Sequence, residues 1–391
     1  MPHTLYMDAN ATTPLLPKVV DAMAPFWTEH FANPSSVHQP GQRARAAIEH
    51  AREQVTALLR CRASEIIFTS GGTESDNLAL FGAMDSISKD RPHLITSAIE
   101  HDAVLRAAEA LARRGNVEVT VLPCTSSGRI DPATLEAALT PRTRLVSIML
   151  ANNETGVIQP VRELAALAHA AGALFHTDAV QAAGKLPLSV DDLGCDLLTL
   201  SGHKLYGPKG TGVLFIRRKT AVTPLHFGGP QERQRRAGTE NVASLVGLGQ
   251  AAELAREWLA TDGPAHLIAL RDRLEQTILA ATAPSGVNGA GEARSPNTTN
   301  LFFDGIIAED LMIALDLQGL AVSAGSACQS GALEPSHVLR AMGLTEARAR
   351  ATIRLSLTRL ATEADADLAA KMIINTVRRL RNLGGASPIA G

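Results

Sequence analysis

Apolar residues recur along this chain at two different spacings. Within residues 44 to 59, ARAAIEHAREQVTALL, the residues Ile48, Ala51, Val55, Leu58 and Leu59 recur at spacings of three and four, which predicts an amphipathic helix. Short apolar runs follow: EIIFT, HLITSA, VEVTVL, RLVSIML, ALFHTDA, CDLLTLS and GVLFIR. Each has the length of a strand, and helical patterns such as DAVLRAAEALARR and PVRELAALAHAAG separate them. Strands alternating with helices predict an α/β fold built on a doubly wound, mostly parallel sheet.

After about residue 241 the pattern changes. Two long helical stretches, 242–260 and 264–282, lead into APSGVNGAGEARSPNTTN, whose Gly, Pro and Ser content predicts a loop. A smaller α+β unit follows, with strand-like NLFF, the helix AEDLMIALDLQG, strand-like ATIRLSL and a final helix from about 362 to 383. The chain is 391 residues long and 45% hydrophobic, enough for two cores. The expected division is a large domain over 15–258 and a small C-terminal domain from 1–14 plus 259–391. The small domain carries a cysteine-bearing loop at about 323–334.

Thirty-seven Lys and Arg against 39 Asp and Glu give a formal charge of -2, which leaves no basic excess for nucleic acid or an anionic membrane. A small-molecule partner is expected instead. MPHTLYMDANATTP lacks a basic stretch followed by an apolar one, and no apolar run is long enough to span a bilayer, so the expected location is cytoplasmic. The four cysteines, Cys61, Cys124, Cys195 and Cys328, stand far apart, without a CxxC pair or a zinc-like Cys/His spacing. The first three lie beside apolar or helical runs, where a thiol serves as a small buried hydrophobe. Cys328 differs: SAGSACQSG surrounds it with small, backbone-flexible residues that predict a loop able to move.

Candidate chemistry gathers at the ends of the strand-like runs. In IIFTSGGTESDNLAL a strand, a glycine turn and a helix follow one another, so the amides of Gly72 and Thr73 would open a helix N-terminus suited to a phosphate. HTDAVQ places Asp178 and Gln181 at a strand exit, and SGHKLYGPKG places Ser201, His203 and Lys204 at the next. Taken singly, these have plainer accounts: a tight turn, a solvated acidic loop, a surface lysine. Together, a Schiff-base lysine, an aspartate for a pyridinium nitrogen and a phosphate-binding helix end are what a pyridoxal 5'-phosphate enzyme needs. His101 of SAIEHDAV adds a ring able to stack on the cofactor and move protons. Asn153 of ANNETG offers an amide, and Arg354 of TIRLSL a planar fork for a substrate carboxylate.

The motifs YMDANATTP, NPSSVHQPG, FTSGGTESDN, EHDAV, NNETG, HTDAVQAAGK, SGHKLYGPKG, RRAGTENVASLVGLG, SAGSAC, LEPSHVLRAMG and IRLSL follow in this order over nearly the whole chain. In them the sequence resembles the cysteine desulfurases of the class V aminotransferase family, which are fold-type I pyridoxal phosphate enzymes. It is similar to the branch found in iron–sulfur cluster and nitrogen-fixation systems. The resemblance implies a Schiff base on Lys204, ring stacking by His101, Asp178 on the ring nitrogen and Gln181 near the ring hydroxyl. It implies that Thr73, Ser201 and His203 hold the phosphate, that Thr239 of RRAGTEN reaches the phosphate of a partner subunit in a homodimer, and that Asn10, Asn153 and Arg354 serve the substrate.

By the same resemblance Lys204 takes the Cα proton of L-cysteine, and the Cys328 thiolate takes the sulfur as a persulfide while L-alanine leaves. An iron–sulfur scaffold or another sulfur-acceptor protein then receives it. Cys328 is also the residue that would ligate a cluster transiently; no resident metal is expected. SAGSACQSGALEPSH resembles the long-loop group of these enzymes. Ala324, Gln329 and Ala9 depart from the commonest family pattern and bear on loop motion and acceptor choice. Three other readings share the same residues: a selenocysteine lyase, an aminotransferase of a small amino acid, which would have no use for Cys328, and a non-enzymatic sulfur-carrier scaffold.

Overall fold

A computed structural model of the protein describes residues 4–85, 91–324 and 335–384. The strands among these residues, in chain order, are β1 (Leu5–Tyr6), β2 (Ile66–Thr69), β3 (His93–Ser97), β4 (Glu118–Leu122), β5 (Thr143–Ser147), β6 (Leu174–Asp178), β7 (Leu197–Ser201), β8 (Gly212–Ile216), β9 (Ser285–Val287), β10 (Thr298–Phe303), β11 (Leu320–Ala321) and β12 (Thr352–Ser356).

All seven early apolar runs become strands of one sheet, ordered β2-β8-β7-β6-β5-β3-β4. Its pairings are parallel from β4 through β7, and β8 runs antiparallel to both of its neighbours. Most of these strands are buried along their whole length because both faces are covered, and alternate residues serve different cores, whereas β4, at the edge, is only partly buried. Ile67, Leu94, Leu145, Leu197 and Leu214 join the cluster under helices Gly72–Asp85 and Asp102–Arg113. Their neighbours Phe68, Ile95, Val146, Leu198 and Val213 join the cluster under helices Gln39–Leu59, Val161–Ala170 and Val242–Leu259.

A separate cluster fills the space between the antiparallel sheet β12-β10-β9 and helices Gly263–Ala281, Ala308–Asp316 and Glu363–Gly384. Met7 belongs to it, because β1 pairs with β11 and Asp8 bridges to Ser356. Val338, Leu339, Met342 and Ala349 come late in the chain yet pack on the first cluster.

The segment read as a loop, 283–300, is partly sheet. Ser285–Val287 pairs antiparallel with β10, which itself begins at Thr298. Gly286 is what the pairing needs rather than a strand breaker: a methyl group there would lie 2.5 Å from the Phe302 ring. Cys195 is buried, while Cys61 and Cys124 are half-buried against the first core, in line with their reading as small hydrophobes. Among the described residues no helix is long and apolar enough to cross a membrane.

Candidate active site

β3 has β4 on one side and β5 on the other, so successive connections leave it in opposite directions. A crevice opens at such a point beyond the carboxyl ends of the strands. A cavity of about 350 Å³ lies there. Its wall unites Asn10, Gly72, Thr73, His101, Asn153, Asp178, Gln181, Ser201, His203, Lys204 and Arg354. Two expected site residues are not among them. Thr239 is exposed and does not line the cavity, although its neighbour Arg236 is tied to it indirectly through Glu74, the third residue of the helix that begins at Gly72. Cys328, with Gln329 and most of the 323–334 loop, lies outside the described residues.

Each wall residue is set by its local backbone. Helix Gly72–Asp85 opens directly on the cavity, and a methyl group on Gly72 would come within 3.1 Å of Val180 Cγ2. The bare backbone at this position leaves the helix end accessible, with amide dipoles suited to an anion. His101 caps the next helix: its Nδ1 accepts from Ala103 N at 3.1 Å, which leaves the ring proton on Nε2. After β7, a single 3-10 turn, Gly202–Lys204, carries His203 and Lys204.

That turn is followed by Tyr206 in the left-handed region, φ 64°, where a non-glycine residue is uncommon. Contacts from distant parts of the chain hold it there. Tyr206 N donates to Thr13 Oγ1 at 2.8 Å, and its hydroxyl accepts from Arg359 N at 2.6 Å. Lys204 Nζ donates to the carbonyl oxygens of Asn10 and Ala11 at 2.5 and 2.7 Å. Arg354 comes from β12, in register with Asn300. Its Nη1 donates to Asn153 O at 3.0 Å and its Nη2 to Asp8 Oδ1 at 2.7 Å.

Several buried titratable groups surround the cavity. Burial raises the Asp178 carboxyl above the usual carboxylate range, against the Val180 amide, which donates to it at 2.8 Å, and against His101 and Lys204. Asp76, one helical turn after Thr73, is raised well above that range by burial and then by the charge of Asp178. The pair therefore favours retaining a proton. Behind it His176 is pushed down to about 3 by burial and stays neutral, held by Ser147 Oγ at 2.8 Å and Thr199 Oγ1 at 3.1 Å. His203 is pushed down to about 4, chiefly by burial and further by Lys204 and Lys209.

These residues fit the pyridoxal phosphate that the sequence leads one to expect. Two buried polar atoms on residues of the wall, Asp76 Oδ1 and Arg354 Nε, have no hydrogen-bond partner among the described residues, so an acceptor and a donor remain for a polar ligand. The Gly72–Thr73 helix end with Ser201 and His203 suits a phosphate, Asp178 a protonated ring nitrogen, and Lys204 a carbonyl carbon.

Sequence reading missed Asp76, and it missed Lys185, buried behind the wall. Spacing held the signal for both: Asp76 is three residues past Thr73 in one helix, and Lys185 is four residues past Gln181 in one turn region.

Comparison with known proteins agrees with this geometry. The model of the aminotransferase class-V family matches residues 5–368. A cysteine desulfurase from Nostoc sp. is 48% identical over 379 residues, covering 97% of this chain and 94% of that one. The cysteine desulfurase NifS of Azotobacter vinelandii is 46% identical, with 97% and 94% covered. Among solved structures, a NifS-like protein superposes with a TM-score of 0.90 at 36% identity, covering 96% of this chain and 100% of that one. SspA, solved in complex with cysteine, gives a TM-score of 0.80 at 38% identity, with 90% and 98% covered. The motif order, the fold and the lysine–aspartate–arginine cavity thus converge, and the chain belongs to the aminotransferase class-V family, in its cysteine desulfurase branch.

Proposed function

We propose that this enzyme, a cysteine desulfurase, works at the cavity beyond β3 and β5, and that Cys328 carries the sulfur away for iron–sulfur cluster assembly. The observation that carries the reading is the meeting of Lys204, Asp178 and Arg354 on one 350 Å³ cavity at the switch point of the sheet. Pyridoxal 5'-phosphate, held by Gly72, Thr73, Ser201 and His203 at its phosphate and by Asp178 and Gln181 at its ring, supplies an electron sink for the pair left at the substrate Cα.

The chain's own residues do the rest. Arg354 is clamped between Asn153 O and Asp8, and its unpartnered Nε edge receives the carboxylate of L-cysteine. Asn10 and Asn153 fix that end of the substrate through their shared hydrogen bond of 3.0 Å. Lys204 Nζ, oriented by two carbonyl oxygens, takes the Cα proton. His101, with its proton on Nε2, covers the ring face and returns a proton. The Cys328 thiolate then attacks the substrate sulfur. A sulfur–sulfur bond forms, the carbon–sulfur bond breaks with its electron pair left on carbon, that carbon is protonated, and L-alanine leaves.

Exposed Trp27, Phe31 and Phe227 support a homodimer, with exposed Thr239 reaching the partner's phosphate site. The separate apolar clusters support a large domain over 15–258 and a small one from 1–14 and 259–391, except that the stretch from Val338 to Ala349 packs on the large-domain core. The balanced charge suits a cytoplasmic enzyme that hands its sulfur to an acceptor protein.

The test is mass spectrometry of the cofactor-loaded protein after L-cysteine is added without reductant, for the wild type and Cys328→Ala. One added sulfur on the Cys328 peptide with alanine released, both absent in the variant, is the expected result. Alanine formed equally by the variant, or no alanine at all, overturns the assignment.

A further inference from the structure

We propose that Lys185 is a positioning residue of this active site, a buried amine that sets the Gln181 amide and the Asn10 side chain from behind the cavity wall. The proposal rests on the pyridoxal phosphate reading above.

Lys185 is 7% exposed and does not line the cavity, yet its Nζ touches two residues that do. It donates to Gln181 Oε1 at 2.7 Å and to Asn10 Oδ1 at 2.9 Å. An amide side chain has a donor end and an acceptor end, and the amine selects which faces where. With Oε1 held by Lys185, Gln181 Nε2 turns to Asn10 O at 3.0 Å and keeps a second hydrogen for an acceptor in the cavity. The Asn10 backbone carbonyl that receives Gln181 also receives Lys204 Nζ. The Asn10 side chain is fixed in turn: Oδ1 accepts from Lys185 and Asn297, and Nδ2 donates to Asn153 O and Thr298 Oγ1. Lys185 therefore joins the ring-facing amide, the substrate-side asparagine and the carbonyl that orients the reactive lysine.

Its chemistry suits that task. Both acceptors are neutral amide oxygens, and among the described residues no carboxylate pairs with the amine. Burial, then the charges of Lys204 and Arg354, pushes it well below an ordinary lysine. The amine has N–H groups for both acceptors, so the bridge to Gln181 and Asn10 is satisfied, and the downward shift lessens the positive charge added to a site that holds Lys204 and Arg354.

The test uses the cofactor-loaded enzyme with Lys185→Met, which keeps the length of the side chain and removes its N–H groups, and Lys185→Gln, which restores a donor. The readouts are the pH midpoint of the visible band without substrate, cofactor retention on dilution, and kcat and KM for L-cysteine. Lys185→Met is expected to move the midpoint by about half a unit or more and to lower kcat about tenfold with little change in KM, as loss of orientation does. Lys185→Gln should recover part of both. In a Gln181→Met background the same change should add less than about twofold, because the two residues act as a unit. If Lys185→Met fails to fold, Lys185→Gln and Gln181→Met alone must show the shifted midpoint. Unchanged band and kcat in folded Lys185→Met overturn the proposal alone, whereas a wild type that takes up no cofactor overturns the functional reading and this proposal with it.

Discussion

Replacing Glu100 with Gln should make the stability of the protein much less sensitive to rising pH. The Glu100 carboxyl is fully buried beside β3, where it accepts from Ser97 Oγ at 2.6 Å and from Met149 N at 3.0 and 3.1 Å. Burial outweighs these donors and Asp178 adds to it, so the group is pushed up to about 8 from 4.5. A folded value above the unfolded one means that its contribution is complete below 4.5 and is lost as pH climbs toward 8. Worked between pH 5.5 and pH 8 from those two values, the loss is about 3 kcal/mol. Gln cannot titrate, and its amide oxygen can still accept from Ser97 and Met149. Any fixed cost of the exchange is the same at both pH values and cancels in their difference.

Urea denaturation of both cofactor-loaded proteins at pH 5.5 and 8, followed by the fluorescence of Trp27 and Trp258, measures that difference. The stability of the variant relative to wild type should rise by about 3 kcal/mol across the interval. A relative stability flat to within about 0.5 kcal/mol refutes the claim that Glu100 is held protonated by burial.

Two further changes probe the frame and the lysine turn. The Arg52 and Glu232 side chains are both 2% exposed and meet through two bonds of 2.8 Å, so Arg52→Met strands a buried carboxylate and should cost about 3–5 kcal/mol in a thermal or urea melt. Arg52→Met with Glu232→Leu should recover most of that, and a double variant as unstable as the single one would show that the ion pair is not the cause. A methyl group on Gly202 would overlap Thr211 Oγ1 and sit 2.9 Å from Pro208 O, two residues before Lys204. Gly202→Ala should therefore weaken cofactor retention about tenfold or more, read as the visible band remaining after desalting, and Thr211→Ala should relieve part of it. A full band in Gly202→Ala would mean that the turn yields without moving the lysine.

What was legible in the sequence and what was not divide along a physical line. The sheet strands were readable because burial on two faces puts apolar residues side by side, as in Leu94 beside Ile95 and Leu145 beside Val146. β9 was not, because its Gly286 carries the signature of a turn while answering the bulk of Phe302 on the paired strand. The residues that bear chemistry, Gly72, Thr73, Asp178, Gln181, His203 and Lys204, sit in short motifs and could be named one by one. The contacts that hold them come from far away: Lys204 is oriented by Asn10 and Ala11, Tyr206 is pinned by Thr13 and Arg359, and Arg354 is clamped by Asp8. No local pattern encodes such a partner.

The place of the site, finally, follows from strand order more than from any one motif. Because β4 and β5 flank β3 on opposite sides, the connections around β3 part and leave a cleft at the carboxyl ends. β2, β6 and β7 run the same way and deliver their own carboxyl ends to that rim, and with them Thr73, Asp178 and Lys204. β8, the one strand reversed, spends its amino end there instead, at Gly212, where a methyl group would lie 2.5 Å from the Gly71 backbone. A reversed strand brings no side chain of its own to the cavity wall, and its glycine lets the phosphate-side turn close over it.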